Sequence, residues 1–136
     1  MRKYRIIIVE NDEDEQFFMK EGFEASGLFE VVAEVKNGDI LFNWLKNHPN
    51  ELPDIILSDL NMPGKNGYDV ITDIKSNPFY THVPVIITST SSTKTIIEKC
   101  LNMGAADYVI KPETFIDYVP FVRRLHKLIG EKQLIK

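Results

Sequence analysis

"IIIVENDEDEQFF" (residues 6–18) runs from four β-branched aliphatic residues into five carboxylates within the six positions Glu10 to Glu15, and then into Phe17 and Phe18. An apolar β-branched run reads as a buried strand. Apolar residues returning at three- and four-residue spacing (Phe17, Phe18, Phe23) read as an amphipathic helix. Neighbouring carboxylates repel one another, so the joint between the two needs solvent, a helix N-terminus or a cation to relieve it.

The same unit recurs. "YRIIIV" (4–9), "FEVVAEV" (29–35), "DIILS" (54–58), "VPVIIT" (83–88) and "DYVIK" (107–111) predict five strands, with helices near 13–26, 38–47, 66–76, 92–103 and 114–129. The first, third and fourth runs are almost wholly apolar, as in strands covered on both faces, whereas the second alternates and suits a sheet edge. The fold expected is α/β: a five-stranded parallel sheet, (βα)5, doubly wound with right-handed crossovers. Gly27, Gly38, Pro53, Gly64, Gly67, Pro84, Gly104 and Pro112 fall at the joints. Pro120 removes a backbone donor inside the last pattern, which predicts a kink or a helix that starts near it.

With 136 residues, 43% hydrophobic and 26% charged, one folded domain spanning 1–136 is expected. The net charge of −4 and the lack of a long basic run argue against a nucleic-acid partner. Cys100 is the only cysteine, which excludes an internal disulfide and a cysteine-cluster metal site. No signal-peptide core or membrane-spanning run is visible, so a cytoplasmic location without a membrane partner is expected.

In an open α/β sheet, chemistry gathers at the carboxyl ends of the strands. Those ends carry Glu10, Asn11 and Asp12; Ser58, Asp59 and Asn61; Thr88, Ser89 and Thr90; and Lys111. Oxygen ligands from two strands suit Mg²⁺, a hard cation that keeps several waters and accepts phosphate oxygens. Beside it Asp59 is a candidate nucleophile towards a phosphoryl group, with Lys111 and Ser89 stabilising the phosphoryl oxygens. Glu13, Asp14 and Glu15 read as a solvated helix start, and Asp12 reads equally as a metal ligand or an N-cap. In "TSTSSTKT" (88–95) only Ser89 is kept as functional, with a helix cap expected at Ser91 or Ser92. His48, His82 and His126 lack mutual ligand spacing and read as surface residues.

"IIIVENDED", "IILSDLNMPGKNGYDVI", "VPVIITSTSS" and "GAADYVIKP" together resemble the response-regulator receiver domain over nearly the whole chain. The resemblance implies strand order 2-1-3-4-5, Asp59 as phosphoacceptor, and Mg²⁺ held by Glu10, Asn11, Asp59 and the backbone carbonyl of Asn61. It makes Ser89 and Tyr108 a switch pair and Lys111 the contact to the acyl phosphate, and it implies a Lys111–Pro112 bond that is often cis. Asn11 departs from the family's acidic pair, keeping an oxygen but losing a charge, for which Asp12 is the compensation considered. Thr90 is bulkier than the family's usual residue there.

The activity implied is that of a stand-alone regulator in a two-component phosphorelay, catalysing only its own Mg²⁺-dependent phosphorylation and dephosphorylation. Its partners would be a sensor histidine kinase or a histidine phosphotransfer protein, with a phosphorylation-dependent homodimer as a further expectation. The alternative is a phosphorylation-independent pseudo-receiver that works as a binding module. A phosphatase with an aspartyl intermediate ranks below both, because its nucleophile would follow the first strand and Asp59 follows the third.

Overall fold

A computed structural model describes residues 2–112 and 118–135. Strands and helices alternate: β1 (Tyr4–Val9), α1 (Glu13–Ser26), β2 (Phe29–Val35), α2 (Gly38–Asn47), β3 (Ile55–Asp59), α3 (Gly67–Ser76), β4 (Val85–Ser89), α4 (Lys94–Met103), β5 (Asp107–Ile110) and α5 (Val119–Glu131). All pairings are parallel, in the order β2-β1-β3-β4-β5. The order implied by the family resemblance is the one observed, and the alternating second run is an edge strand.

Successive side chains of a strand face opposite ways, so each central strand feeds two cores. Ile6, Ile8, Ile55, Leu57 and Ile86 pack with Met19 and Phe23 of α1 and with Phe121, Val122, Leu125 and Ile129 of α5. Ile7, Val9, Ile56, Val85 and Ile87 pack with α2, α3 and Cys100 of α4. This two-sided burial is why β1, β3 and β4 read as continuous apolar runs.

Local chemistry sets the helix starts. Asn37 caps α2 through Ile40 N–H, and Asn66 and Asp69 form a reciprocal capping box on α3. A Cβ at Gly67 would stand 2.8 Å from the Asp59 carbonyl oxygen, so only glycine lets α3 begin this close to the end of β3. Pro120 sits in the first turn of α5, where a missing N–H costs no helical bond, so of the two expectations the helix start holds. The expected helical residues 114–117 lie outside the described residues. α4 begins at Lys94, later than expected, and its N-cap is Thr93 rather than Ser91 or Ser92. Ser91 Oγ instead accepts the Thr93 N–H in a local turn. The Lys111–Pro112 bond is trans, the isomer X–Pro bonds prefer.

Gly22 fixes how closely α1 approaches α5. A Cβ there would lie 2.5 Å from Tyr118 Cβ and 3.2 Å from its backbone carbon, so the helices would have to separate. Overpacking costs about 1–3 kcal/mol, against a gain in helix propensity of up to about 1 kcal/mol. Gly22→Ala should therefore destabilise by about 1–2 kcal/mol and lower the melting temperature by roughly 3–8 °C. An unchanged or raised melting temperature would show that α5 shifts without cost.

Candidate functional site

β1, β3, β4 and β5 all end on the same side of the sheet. Val9 pairs with Ser58, Asp59 with Thr88, and Ser89 with Ile110, so Glu10, Asp59, Ser89 and Lys111 arrive together. All four are nearly buried, at 2%, 8%, 2% and 8% exposure. Lys111 Nζ donates to Glu10 Oε1 at 2.8 Å and to Glu15 Oε2 at 2.6 Å, and stands 3.1 Å from Asp59 Oδ1. One ammonium group therefore serves three carboxylates. Asp59 Oδ1 also accepts the Leu60 N–H at 2.9 Å, and Glu10 Oε2 accepts the Asp12 N–H at 3.2 Å.

Glu15 corrects the reading of the acidic stretch, because it is buried in this cluster and not solvated. Helical spacing explains it: Glu15, Met19, Gly22 and Phe23 fall at i, i+4, i+7 and i+8, and all four are buried. That periodicity was present in the sequence and could have placed Glu15 inward. Glu13 and Asp14 are exposed as expected, Glu13 pairing with Lys36. Asp12 is the N-cap of α1, its Oδ1 accepting the Glu15 N–H at 2.9 Å.

Asn11 and Asn61 are exposed just beyond the ends of β1 and β3. Among the described residues no three His, Cys, Asp or Glu side chains are grouped as a metal cage. Glu10 and Asp59 supply two buried carboxylates, and the exposed Asn11 and Asn61 carry an amide oxygen and a backbone carbonyl just past the ends of the same two strands. Such a set suits a hard divalent cation that retains several waters.

Ser58 Oγ is spent on its own backbone, donating to the Asp59 carbonyl, while Thr88 Oγ1 is buried without a hydrogen-bond partner and Thr90 is exposed. Ser89 Oγ accepts the Ser91 N–H at 3.2 Å, and the buried Tyr108 donates its hydroxyl to the Ser91 carbonyl at 2.8 Å. The Ser91 peptide thus links Ser89 to Tyr108.

Burial dominates the electrostatics. It pushes the Glu10 carboxyl up to about 8, helped by a hydrogen bond with Glu15 and the charge of Asp59, against the pull of Lys111. Burial also raises Asp59, although Lys111 draws it down. For Lys111 burial acts the other way, but its bonds to Glu10 and Glu15 and the charge of Asp59 outweigh it and raise the ammonium above its ordinary range.

A sign follows for stability. Glu10 binds its proton more tightly folded than unfolded, so its contribution is present below about 4.5 and is lost as pH rises towards about 8. Asp59 shifts in the same direction, and Lys111 keeps its proton throughout. In EDTA the melting temperature should fall by roughly 5 °C or more between about pH 5 and about pH 8.5. A flat or rising profile would mean that Lys111 compensates all three acids.

Residues 6–122 match the response regulator receiver domain family. The two-component response regulator ORR12 of Oryza sativa subsp. japonica is 41% identical over 63 residues, covering 46% of this chain and 52% of the rice protein. The match therefore spans about half the length of that relative. A probable cyclic di-GMP phosphodiesterase of Vibrio cholerae is 30% identical over 129 residues, 94% of this chain but 27% of the larger protein. The phosphorylated cyanobacterial phytochrome response regulator RcpA superposes with a TM-score of 0.77 at 27% identity, covering 96% of this chain and 93% of that one.

Proposed function

The chain belongs to the response regulator receiver domain family, and from that premise we propose that it accepts a phosphoryl group on Asp59 from a phosphohistidine. The donor is a sensor histidine kinase or a histidine phosphotransfer protein in the cytoplasm. The observation that carries this reading is the convergence of a nearly buried Asp59 with Lys111 at 3.1 Å and Glu10 beside it. That RcpA has been crystallised phosphorylated supports it.

An Asp59 carboxylate oxygen attacks phosphorus, the P–N bond breaks, and the imidazole nitrogen leaves with the electron pair and takes up a proton. The product is an acyl phosphate. Lys111 moves part of its hydrogen bonding from Asp59 to a phosphoryl oxygen, which keeps that charge compensated inside the protein. Glu10, Asn11, Asp59 and the Asn61 carbonyl would hold Mg²⁺, with Asp12 spent on its cap. Bound there, Mg²⁺ neutralises charge on the phosphoryl oxygens.

Ser89 then leaves the Ser91 N–H for the phosphoryl group, and the movement reaches Tyr108 through the Ser91 carbonyl. The face of α4, β5 and α5 carries the change outward. It presents a half-exposed Ile110 and a concavity of about 550 Å³ lined in part by Tyr108, Phe121 and Arg124. Output is protein contact, a homodimer included, or onward transfer of the phosphoryl group, with residues 1–136 acting as one receiver unit.

Asn11 favours one competing reading, a binding module that works without phosphorylation. Incubation with a small phosphodonor and Mg²⁺, followed by intact mass, separates the two. One added phosphate that fails to form in EDTA is expected. No adduct at saturating Mg²⁺ would leave the binding module.

A further inference from the structure

We infer that Glu15 supplies the negative charge that the amide at Asn11 withholds, acting through Lys111 as a positioning residue for the divalent cation. The inference rests on the receiver reading above and assigns to Glu15 the compensation that Asp12, spent as an exposed helix cap, does not provide. Glu10, Glu15 and Asp59 carry three negative charges when ionised and Lys111 one positive charge, so a divalent cation brings the buried group to neutrality. With glutamine at position 15, the same ion would leave a net positive charge where water screens it poorly.

The placement suits the role. Glu15 makes the shortest of the three contacts to Lys111, 2.6 Å against 2.8 Å for Glu10 and 3.1 Å for Asp59. It also lies close enough to Glu10 and Asp59 for its charge to act on both. An ammonium has three hydrogens to give, and all three have carboxylate acceptors here. With a neutral amide oxygen in place of the Glu15 carboxylate, Lys111 is held less strongly there and is drawn more fully to Glu10 and Asp59, the two acids a cation needs. Lost attraction and stronger competition from Lys111 both weaken cation binding.

Calorimetric Mg²⁺ titration of the full chain reads this without any phosphodonor. Glu15→Gln should bind Mg²⁺ about five- to ten-fold more weakly than the wild type. Glu15→Asp keeps the charge and should stay within about two-fold. Asn11→Asp combined with Glu15→Gln should return to the wild-type affinity or tighter.

A merely structural Glu15 would lower the melting temperature of Glu15→Gln and leave the Mg²⁺ affinity of the folded protein unchanged, and that result overturns the inference. A double variant no tighter than Glu15→Gln alone overturns it too. Should Glu15→Gln fail to fold, Asn11→Asp with and without Glu15→Gln gives the same comparison, and equal affinities there count against the role. Failure of the receiver reading shows separately, as absence of a phosphate adduct on the wild-type chain.

Discussion

Lys111→Met should destabilise the metal-free protein by about 3–5 kcal/mol at pH 8, the cost of removing one partner from a buried ion cluster. The methionine fills similar volume, so packing contributes little and the loss is electrostatic. Glu10, Glu15 and Asp59 would remain buried around a position that no longer carries charge. For a domain whose total stability is about 5–15 kcal/mol, the melting temperature should drop by roughly 10–20 °C. The carboxyls have one escape, which is to take up protons. The deficit should therefore shrink as pH falls towards 5, and saturating Mg²⁺ should recover part of it at pH 8. Thermal melts across pH, in EDTA and in Mg²⁺, test this. A loss of only a degree or two, or one independent of pH, would mean that water reaches the three acids and that Lys111 does not hold them together.

The sheet was legible because its central strands are buried on both faces. A run such as "DIILS" (54–58) has little other use in a chain of this composition. Strand ends were less legible for the reason that makes them functional. β3 and β4 extend through Asp59 and Ser89, which are buried polar residues and break the apolar run that marks a strand. The start of α4 was blurred by a stretch rich in hydroxyls, any of which can cap, and the local turn made by Ser91 decided against the nearer candidates.

The site divides in the same way. Asp59, Lys111 and Glu10 could be placed by asking what each strand delivers at its carboxyl end. Periodicity alone turns Glu15 inward, four residues before Met19, but its charge argues the other way. A carboxylate in the first turn of a helix normally faces water, and burial is favourable here only because Lys111 arrives from β5, 96 residues further along the chain. No local reading of residues 10–15 contains that partner.

Asp59→Asn should abolish the phosphate adduct completely and yet stabilise the metal-free protein, the opposite sign to Lys111→Met within the same cluster. The loss of adduct follows from chemistry: a neutral amide oxygen is too weak a nucleophile to take the place of a carboxylate. The stability gain follows from charge. Asp59 is held above its ordinary carboxyl range chiefly by burial, with Glu15 adding repulsion, so its ionised form is unfavourable in the fold even beside Lys111. Asparagine keeps the shape, and its Oδ1 can still accept the Leu60 N–H that Asp59 accepts at 2.9 Å. It also removes one negative charge from three, leaving Lys111 to share its hydrogens between Glu10 and Glu15. A gain of about 1–2 kcal/mol at pH 8 in EDTA is expected, fading as pH falls and the wild-type carboxyl takes up a proton. Mg²⁺ should reverse the ranking, because the wild type gains binding energy from an anionic ligand that the variant lacks, about ten-fold or more in affinity. Intact mass after phosphodonor treatment, and paired melts in EDTA and Mg²⁺, measure both halves. An adduct persisting in Asp59→Asn would move the acceptor to another acid. A variant less stable than the wild type in EDTA would mean that attraction to Lys111 outweighs the burial of the Asp59 charge.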